Sequence, residues 1–393
     1  MHIKDLVSDE EVIEIAKKLI SIESHKDVTK QEYNIAQWIQ EKMTDEGIQS
    51  WTEEVVQDRP NVYAQIDGQD KQLALMFNGH TDTIPGFNMD YKAFEPFIKD
   101  NKLHGRGSVD MKGGIAAMLA AMIAVKRSNL KLSKGVIFAG VIDEEQCSKG
   151  TESIIKSTNI RPQMAVIGEP TELNVSVVHK GMEWIEVVFK GKSGHGSRPH
   201  EGINAIYIAA EFIQLIKNEL APKIEDRLYE KLGSGTINVG IVRGGNDPNI
   251  IPDECIVRID RRYLPNETLE DIHKEIEVIA NNAIEVTGGS FELRRMSDAT
   301  ASLGNTPHCI DIEETLVKES LMIVQSITGK NQVPKDFPGW SDAALLSNNL
   351  GTHCIVLGPG NINQAHANDE FCSIDEIIMA TEIYFNLIKN LCS

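Results

Sequence analysis

Short apolar runs that each stop at a polar, chemistry-bearing residue constrain this fold more than any other feature. Leu73, Ala74, Leu75, Met76 and Phe77 are followed by Asn78-Gly79-His80. The run 136–142 stops at Asp143-Glu144-Glu145, the run 164–167 at Gly168-Glu169, and the run 353–357 at Gly358-Pro359-Gly360. Runs this short and this apolar read as strands buried on both faces. After Gly113-Gly114, residues 115–127 carry apolar side chains at helical spacing. Alternating strand and helix predicts an α/β fold with a mostly parallel sheet covered on both faces. Sites in such sheets lie just past the carboxyl ends of the strands.

Helical periodicity also marks 12–20, after the acidic start Asp9-Glu10-Glu11, and 33–43, closed by Gly47. It returns at 312–327 and 374–391. From residue 181 the texture changes. The segments 183–190, 236–242 and 255–260 alternate apolar and polar residues, with helical segments at 204–217 and 268–286. These are half-exposed antiparallel strands with helices, an α+β block. The chain of 393 residues thus reads as two domains: a discontinuous α/β domain, 1–180 and 297–393, interrupted by an inserted domain, 181–296.

Composition narrows the function by exclusion. Asp and Glu number 58 against 39 Lys and Arg, a formal charge of −19. That surface repels phosphate backbones and argues against nucleic acid as the partner. The longest apolar stretches, such as 115–125, fall short of the ~18–20 residues that cross a bilayer. No apolar leader follows Met1, so a cytoplasmic protein without membrane contact is expected. None of the six cysteines forms a C-x-x-C pair, which removes a zinc ribbon and a thioredoxin-like redox motif. Mostly buried thiols in a reducing compartment are expected.

His80 and Asp82 form an H-x-D at a strand end, readable as a metal-ligating imidazole oriented by a carboxylate or as a simple strand-end turn. Asp110 lies in the glycine-rich run Gly105-Arg106-Gly107-Ser108-Val109-Asp110-Met111-Lys112-Gly113-Gly114. That run lacks the G-x-x-x-x-G-K-[ST] spacing of a phosphate loop, and no G-x-G-x-x-G opens a helix. Glu144 and Glu145 read either as a ligand beside a substrate-facing acid or as an exposed acidic turn. Glu169 and His366 follow later strands. Two imidazoles with several carboxylates and no thiolate form a hard, oxygen-rich set. It suits two zinc-like divalent ions bridged by a carboxylate better than one structural zinc.

The run Gly79-His80-Thr81-Asp82-Thr83-Ile84-Pro85, together with the glycine-rich run around Asp110, resembles the dizinc amidohydrolases. These include acetylornithine deacetylase, succinyl-diaminopimelate desuccinylase, aminoacylase and glutamate carboxypeptidase. Asp143-Glu144-Glu145, Gly168-Glu169-Pro170-Thr171, Gly194-His195-Gly196-Ser197-Arg198-Pro199, the run from Gly244 to Pro252, and His366 match in the same order. The resemblance implies a zinc-peptidase-like catalytic domain with an inserted ferredoxin-like lid that also builds a homodimer. It implies two Zn2+ per chain, with Co2+ or Mn2+ able to substitute. His80 and Glu169 hold one ion, Glu145 and His366 the other, and Asp110 bridges them. Asp82 orients His80, Glu144 is the general base, and His195 stabilises the oxyanion. Asn249, Arg262 and Gly358 fall at substrate-binding positions. The family usually has an apolar residue where Arg261 stands, which leaves open which arginine faces the pocket. Ser341-Asp342-Ala343 stands where many relatives have Thr-Asp-Ala. The implied reaction is hydrolysis of the amide of an N-acyl amino acid. The same site in a di- or tripeptidase or a carboxypeptidase cleaves a short peptide. A catalytically dead binding protein should have lost a ligand or the base, and none is lost. No G-x-S-x-G supports a serine hydrolase.

Overall fold

A computed structural model describes residues 3–157 and 159–393, and the chain divides into two compact units, Met1–His179 with His308–Ser393, and Lys180–Pro307. The sequence predicts that the inserted block ends at 296. Residues 297–307 instead stay with it. The Met182 N–H donates to the Asn305 carbonyl at 2.8 Å, and Asn305 Oδ1 accepts the Ala301 N–H at 3.0 Å.

The main sheet of the first unit has nine strands: β1 (Gln49–Val56), β2 (Arg59–Ile66), β3 (Leu73–His80), β4 (Gly135–Val141), β5 (Met164–Ile167), β6 (Ser176–His179), β7 (His308–Cys309), β8 (Lys335–Phe337) and β9 (His353–Val356). Their order is β1-β2-β4-β3-β5-β9-β6-β7, with β8 beside β6. The centre, β4-β3-β5-β9, is parallel, as the apolar runs predict. The flanks are not: β1 and β2 form an antiparallel hairpin that joins β4 antiparallel, making the sheet mixed. Every residue of β3 and β4 is buried, and burying a side chain such as Met76 or Phe77 contributes about 1.5–3 kcal/mol.

Helices α1 (Asp9–Ser21), α2 (Tyr33–Asp45), α3 (Gly113–Ser128), α4 (Lys149–Lys156), α5 (Thr315–Thr328), α6 (Ala343–Leu350) and α7 (Ile374–Leu391) cover the sheet. α1 starts where Ser8 Oγ accepts the Glu11 N–H at 3.2 Å. It buries Val12, Ile13, Ile15, Ala16, Leu19 and Ile20. α3 corrects the estimate from uninterrupted apolar runs. With the preceding wide turn it forms a 21-residue segment, Ser108–Ser128, apolar and long enough to cross a membrane by length and composition. Its most apolar stretch is wholly buried in the protein, which accounts for the composition. The first turn of α3 is pressed on the end of β5: a Cβ at Gly114 would lie 2.4 Å from the Gly168 carbonyl oxygen. That close approach brings the loop carrying Asp110 to the strand end carrying Glu169.

In the second unit, strands Gly181–Lys190, Thr236–Gly244, Glu254–Tyr263 and Ser290–Arg295 pair antiparallel. Numbered along the chain, they lie in the order second, third, first, fourth. With helices Ala205–Leu215 and Leu269–Thr287 between them, this is the βαββαβ ferredoxin-like arrangement. Phe189, Phe212, Ile259, Ile276 and Ala280 lie in its core. Alternate strand positions face the core, so the period-2 texture was legible in the sequence.

Candidate metal centre

The ends of β3, β4 and β5, the loop before α3 and the segment after β9 converge. His80, Asp110 and Glu169 bring one candidate ligand atom each within 4.8 Å of one another, and so do Asp110, Glu145 and His366. Asp110 belongs to both groups through different oxygens: Oδ1 is 2.9 Å from His80 Nε2, and Oδ2 is 3.4 Å from His366 Nε2. His80 Nε2 also lies 3.6 Å from Glu169 Oε1, and His366 Nε2 lies 3.1 Å from Glu145 Oε2. The two groups differ in exposure. The His80 side chain is 1% exposed and that of His366 51%.

Backbone contacts aim these side chains. The His80 Nδ1–H donates to the Asp82 carbonyl at 3.0 Å, leaving Nε2 as the outward nitrogen. The Asp82 carboxylate, the orienting group expected from the sequence, stands 3.7 Å from Nδ1. It also accepts the N–H groups of Glu144 and Glu145, at 3.2 and 3.1 Å. Asp82 thus links the end of β3 to the acidic turn after β4. Glu370, unremarked in the sequence, does the same for Asp110. Its Oε1 accepts the Val109 and Asp110 N–H groups at 3.0 and 3.4 Å, while Oε2 pairs with Arg106 at 2.5 Å in a fully buried contact. Arg106 and Glu370 lie 264 residues apart, so spacing offered no signal for the pair.

The electrostatics call for cations. Burial pushes the Glu144 and Glu169 carboxyls well above their usual range, and the neighbouring acids push them further. Burial and then Asp110 raise Glu145. Burial would raise Asp110 too, but hydrogen bonds from His366 and His80 hold it far below the usual carboxylate range. Burial would lower His80, yet Asp110 and Asp82 raise it well above an ordinary imidazole. Hydrogen bonds to Asp110 and Glu145 push His366 up to about 10. A donor set of imidazoles and carboxylates, short of cations and sharing one carboxylate between two clusters, fits two hard divalent ions.

Gly358, at an expected substrate-binding position, packs closely on the turn that follows β5. It is buried, its N–H donates to Thr171 Oγ1 at 3.2 Å, and its carbonyl accepts the Thr171 and Leu173 N–H groups. A Cβ there would lie 2.3 Å from the Gly168 carbonyl oxygen. Its smallness lets the chain after β9 pack on the turn carrying Glu169. Asp342 is buried and accepts from Thr151 Oγ1 at 2.5 Å, and burial raises it to about 6.

Within the second unit, His195 and Asn249 come together. Gly194-His195 pairs antiparallel with Ile250–Ile251, and the Gly196 N–H donates to the Asn249 carbonyl at 2.7 Å. His195 is exposed, with Nδ1 2.8 Å from Ser197 Oγ. The two arginines separate cleanly. Arg261 is buried and pairs with Glu267 at 2.5 Å, while Arg262 is partly exposed and pairs with Asp260 at 2.8 Å. Arg262 is thus the more solvent-accessible of the two.

A site of this make-up at the carboxyl ends of a parallel sheet is suited to metal-dependent hydrolysis. Residues 76–390 match the family described as Peptidase family M20/M25/M40, and the chain belongs to that family. Acetylornithine deacetylase of Pasteurella multocida (strain Pm70) is 32% identical over 327 residues, 81% of each chain. Among solved structures, aminopeptidase PepT from Bacillus cereus superposes with a TM-score of 0.78 at 19% identity, over 98% of this chain and 99% of that one. A dinuclear metal-binding peptidase from Bacillus subtilis superposes at 0.73 with 15% identity, over 98% of each. These structures share the fold. The chain is a hydrolase acting on amide bonds with bound metal.

Proposed function

We propose that this chain removes the acyl group of an N-acyl amino acid, in the manner of acetylornithine deacetylase or succinyl-diaminopimelate desuccinylase, with two zinc ions per chain. His80 and Glu169 would hold one ion, Glu145 and His366 the other, with Asp110 common to both groups. The observation that carries this is the shared Asp110, one oxygen toward each imidazole. Divalent ions held there would supply Lewis-acid polarisation of a carbonyl and acidification of a water. Glu144 takes the water's proton on its carboxylate and delivers it to the leaving nitrogen. Burial raises its proton affinity, the direction that favours accepting that proton. His195 donates its imidazole N–H to the developing oxyanion, and Arg262 and Asn249 bind the amino-acid carboxylate and backbone. These three roles rest on family membership.

The second reading, a di- or tripeptidase or a carboxypeptidase, is favoured by the likeness in fold to an aminopeptidase. Zinc-loaded protein assayed against N-acetyl, N-formyl and N-succinyl amino acids alongside di- and tripeptides separates the two. A deacylase releases free amino acid from the acyl compounds and leaves the peptides intact. A homodimer through the inserted unit is part of the proposal. Thr236–Gly244 is an edge strand there, and Ile206, Tyr207, Val242 and Ile250 are exposed. We place the enzyme in the cytoplasm, without nucleic-acid or membrane partners.

A further inference from the structure

Arg59, the first residue of β2, is the meeting point of two acids from distant parts of the first unit. Its Nε and Nη2 form a fork on Glu32 at 2.7 and 2.6 Å, and Nη2 also reaches Asp143 Oδ1 at 2.8 Å. The Glu32 side chain is 0% exposed, Asp143 1% and Arg59 15%. Lys149 adds a looser ion pair to Asp143 Oδ2 at 3.7 Å. A buried ion pair is an inefficient way to stabilise a fold. A two-toothed guanidinium is an efficient way to fix direction.

What is fixed is the acidic turn. Asp143 has φ +69, a left-handed backbone uncommon for a residue with a side chain. Its carbonyl accepts the Gln146, Cys147 and Ser148 N–H groups at 3.3, 2.9 and 2.6 Å, so the turn closes on Asp143. Glu144 and Glu145 lie inside that loop, with their own N–H groups on Asp82. Asp82 holds the turn from the β3 side, and Arg59 holds it by the Asp143 side chain. Releasing Asp143 leaves a left-handed residue without its side-chain anchor, directly before the two acids whose directions must differ.

We propose that Arg59, backed by Glu32, is a positioning residue that holds Asp143 and thereby sets the direction of Glu144 and Glu145. This rests on the reading of Glu144 as the base. The test uses the full-length chain at saturating zinc. Arg59→Gln and Asp143→Asn should each lower kcat about 10–100-fold, the size of loss that a roughly 1 Å misplacement causes. KM should move less than about two-fold. Asn tolerates the left-handed backbone, so Asp143→Asn keeps the question open to test should Arg59→Gln not fold. Calorimetric titration of the stripped protein with zinc should still give two equivalents, one of them loosened about ten-fold through Glu145. In a Glu144→Gln background, adding Arg59→Gln should cost less than about two-fold in kcat, because its effect runs through a base already removed. An undiminished loss in that background overturns the proposal, as do single variants with wild-type kcat. Glu144→Gln alone with wild-type kcat rejects the base assignment itself, and the proposal with it.

Discussion

The two units use charged residues in opposite ways. In the first, His80, Asp82, Glu169, Arg106, Glu370, Glu32 and Asp143 are all buried, and several carboxyls are forced toward their neutral forms by burial and by one another. In the second, most charges stay at the surface, as in Arg262–Asp260, Arg258–Glu186 and Lys190–Glu254. Surface pairs of this kind contribute about 0–1 kcal/mol each. Buried, poorly matched acids oppose folding unless a cation compensates them. The first unit therefore carries a cost that a bound metal offsets, whereas the second could be built for stability alone and still present His195 and Arg262 to solvent.

The sharpest way to break this contrast is to neutralise the two adjacent acids one at a time. Glu144→Gln should retain both zinc equivalents and lose about 10²–10⁴ in kcat, the range expected for a general base. Glu145→Gln should instead weaken metal binding. The checks are metal content by elemental analysis and steady-state kinetics. A Glu144→Gln enzyme of near wild-type activity would mean that the two roles are exchanged.

The inserted unit offers the next largest effect. His195→Ala should keep its metal and lose roughly 10²–10³ in kcat, as for removal of one oxyanion donor. If His195 serves the other subunit of a homodimer, mixing His195→Ala with Glu144→Gln under subunit exchange creates one site with both native groups. Activity should recover to a sizeable fraction of wild type in the mixture. Heterodimers that form without recovery would confine His195 to its own subunit or deny it a catalytic role.

Strand ends were legible because strands buried on both faces, such as β3 and β4, are uninterrupted apolar runs, and their polar terminators stand out. His80, Glu144, Glu145 and Glu169 were readable for that reason. The hairpin β1–β2 was not: Gln-Ser-Trp-Thr-Glu-Glu-Val-Val carries two adjacent acids on a half-exposed flank, and its strand character comes from pairing with β2, which in turn pairs with β4. Partners joined across long separations were also hidden. Arg59 meets Asp143 84 residues away, and no local period reports such a contact. The inserted block was legible as a fold because alternation marks its strands. Its end at Pro307 was not, because the closing contact of Asn305 with Met182 is made by backbone groups that any sequence supplies.

The protonation of the first unit predicts a pH effect on metal uptake. His80 is raised well above an ordinary imidazole, and His366 to about 10. Both shifts favour the protonated ring in the stripped protein, and ligation requires neutral rings. Loading at pH 7.5 should therefore release protons, and apparent affinity should climb up to ten-fold per pH unit for each proton displaced. For stability the sign is the reverse. A raised imidazole contributes fully below its unfolded value near ~6.5, and the contribution fades as pH rises through the folded value, about 10 for His366. The stripped protein should lose stability from pH 7 to 10 while the loaded protein does not. Calorimetry in buffers of different ionisation heat counts the protons. A count of zero at pH 7.5 would show that the imidazoles are already neutral.

The smallest expected effect tests whether the second unit's stability is separate from the metal chemistry. Helix Leu269–Thr287 begins with a reciprocal cap: Thr268 Oγ1 accepts the Asp271 N–H at 3.1 Å, and Asp271 Oδ2 accepts the Thr268 N–H at 3.4 Å. Thr268 is exposed, so Thr268→Ala removes the cap without opening a cavity and should cost about 1 kcal/mol. In a scanning-calorimetry trace that cost is a fall of a few degrees in the transition that includes the inserted unit. Because none of the candidate ligands lies in this helix, zinc stoichiometry and the proton count on loading should stay at their wild-type values. A loss of metal affinity in Thr268→Ala would mean that order in the inserted unit supports the buried acids of the first, and the division of labour between the two would have to be given up.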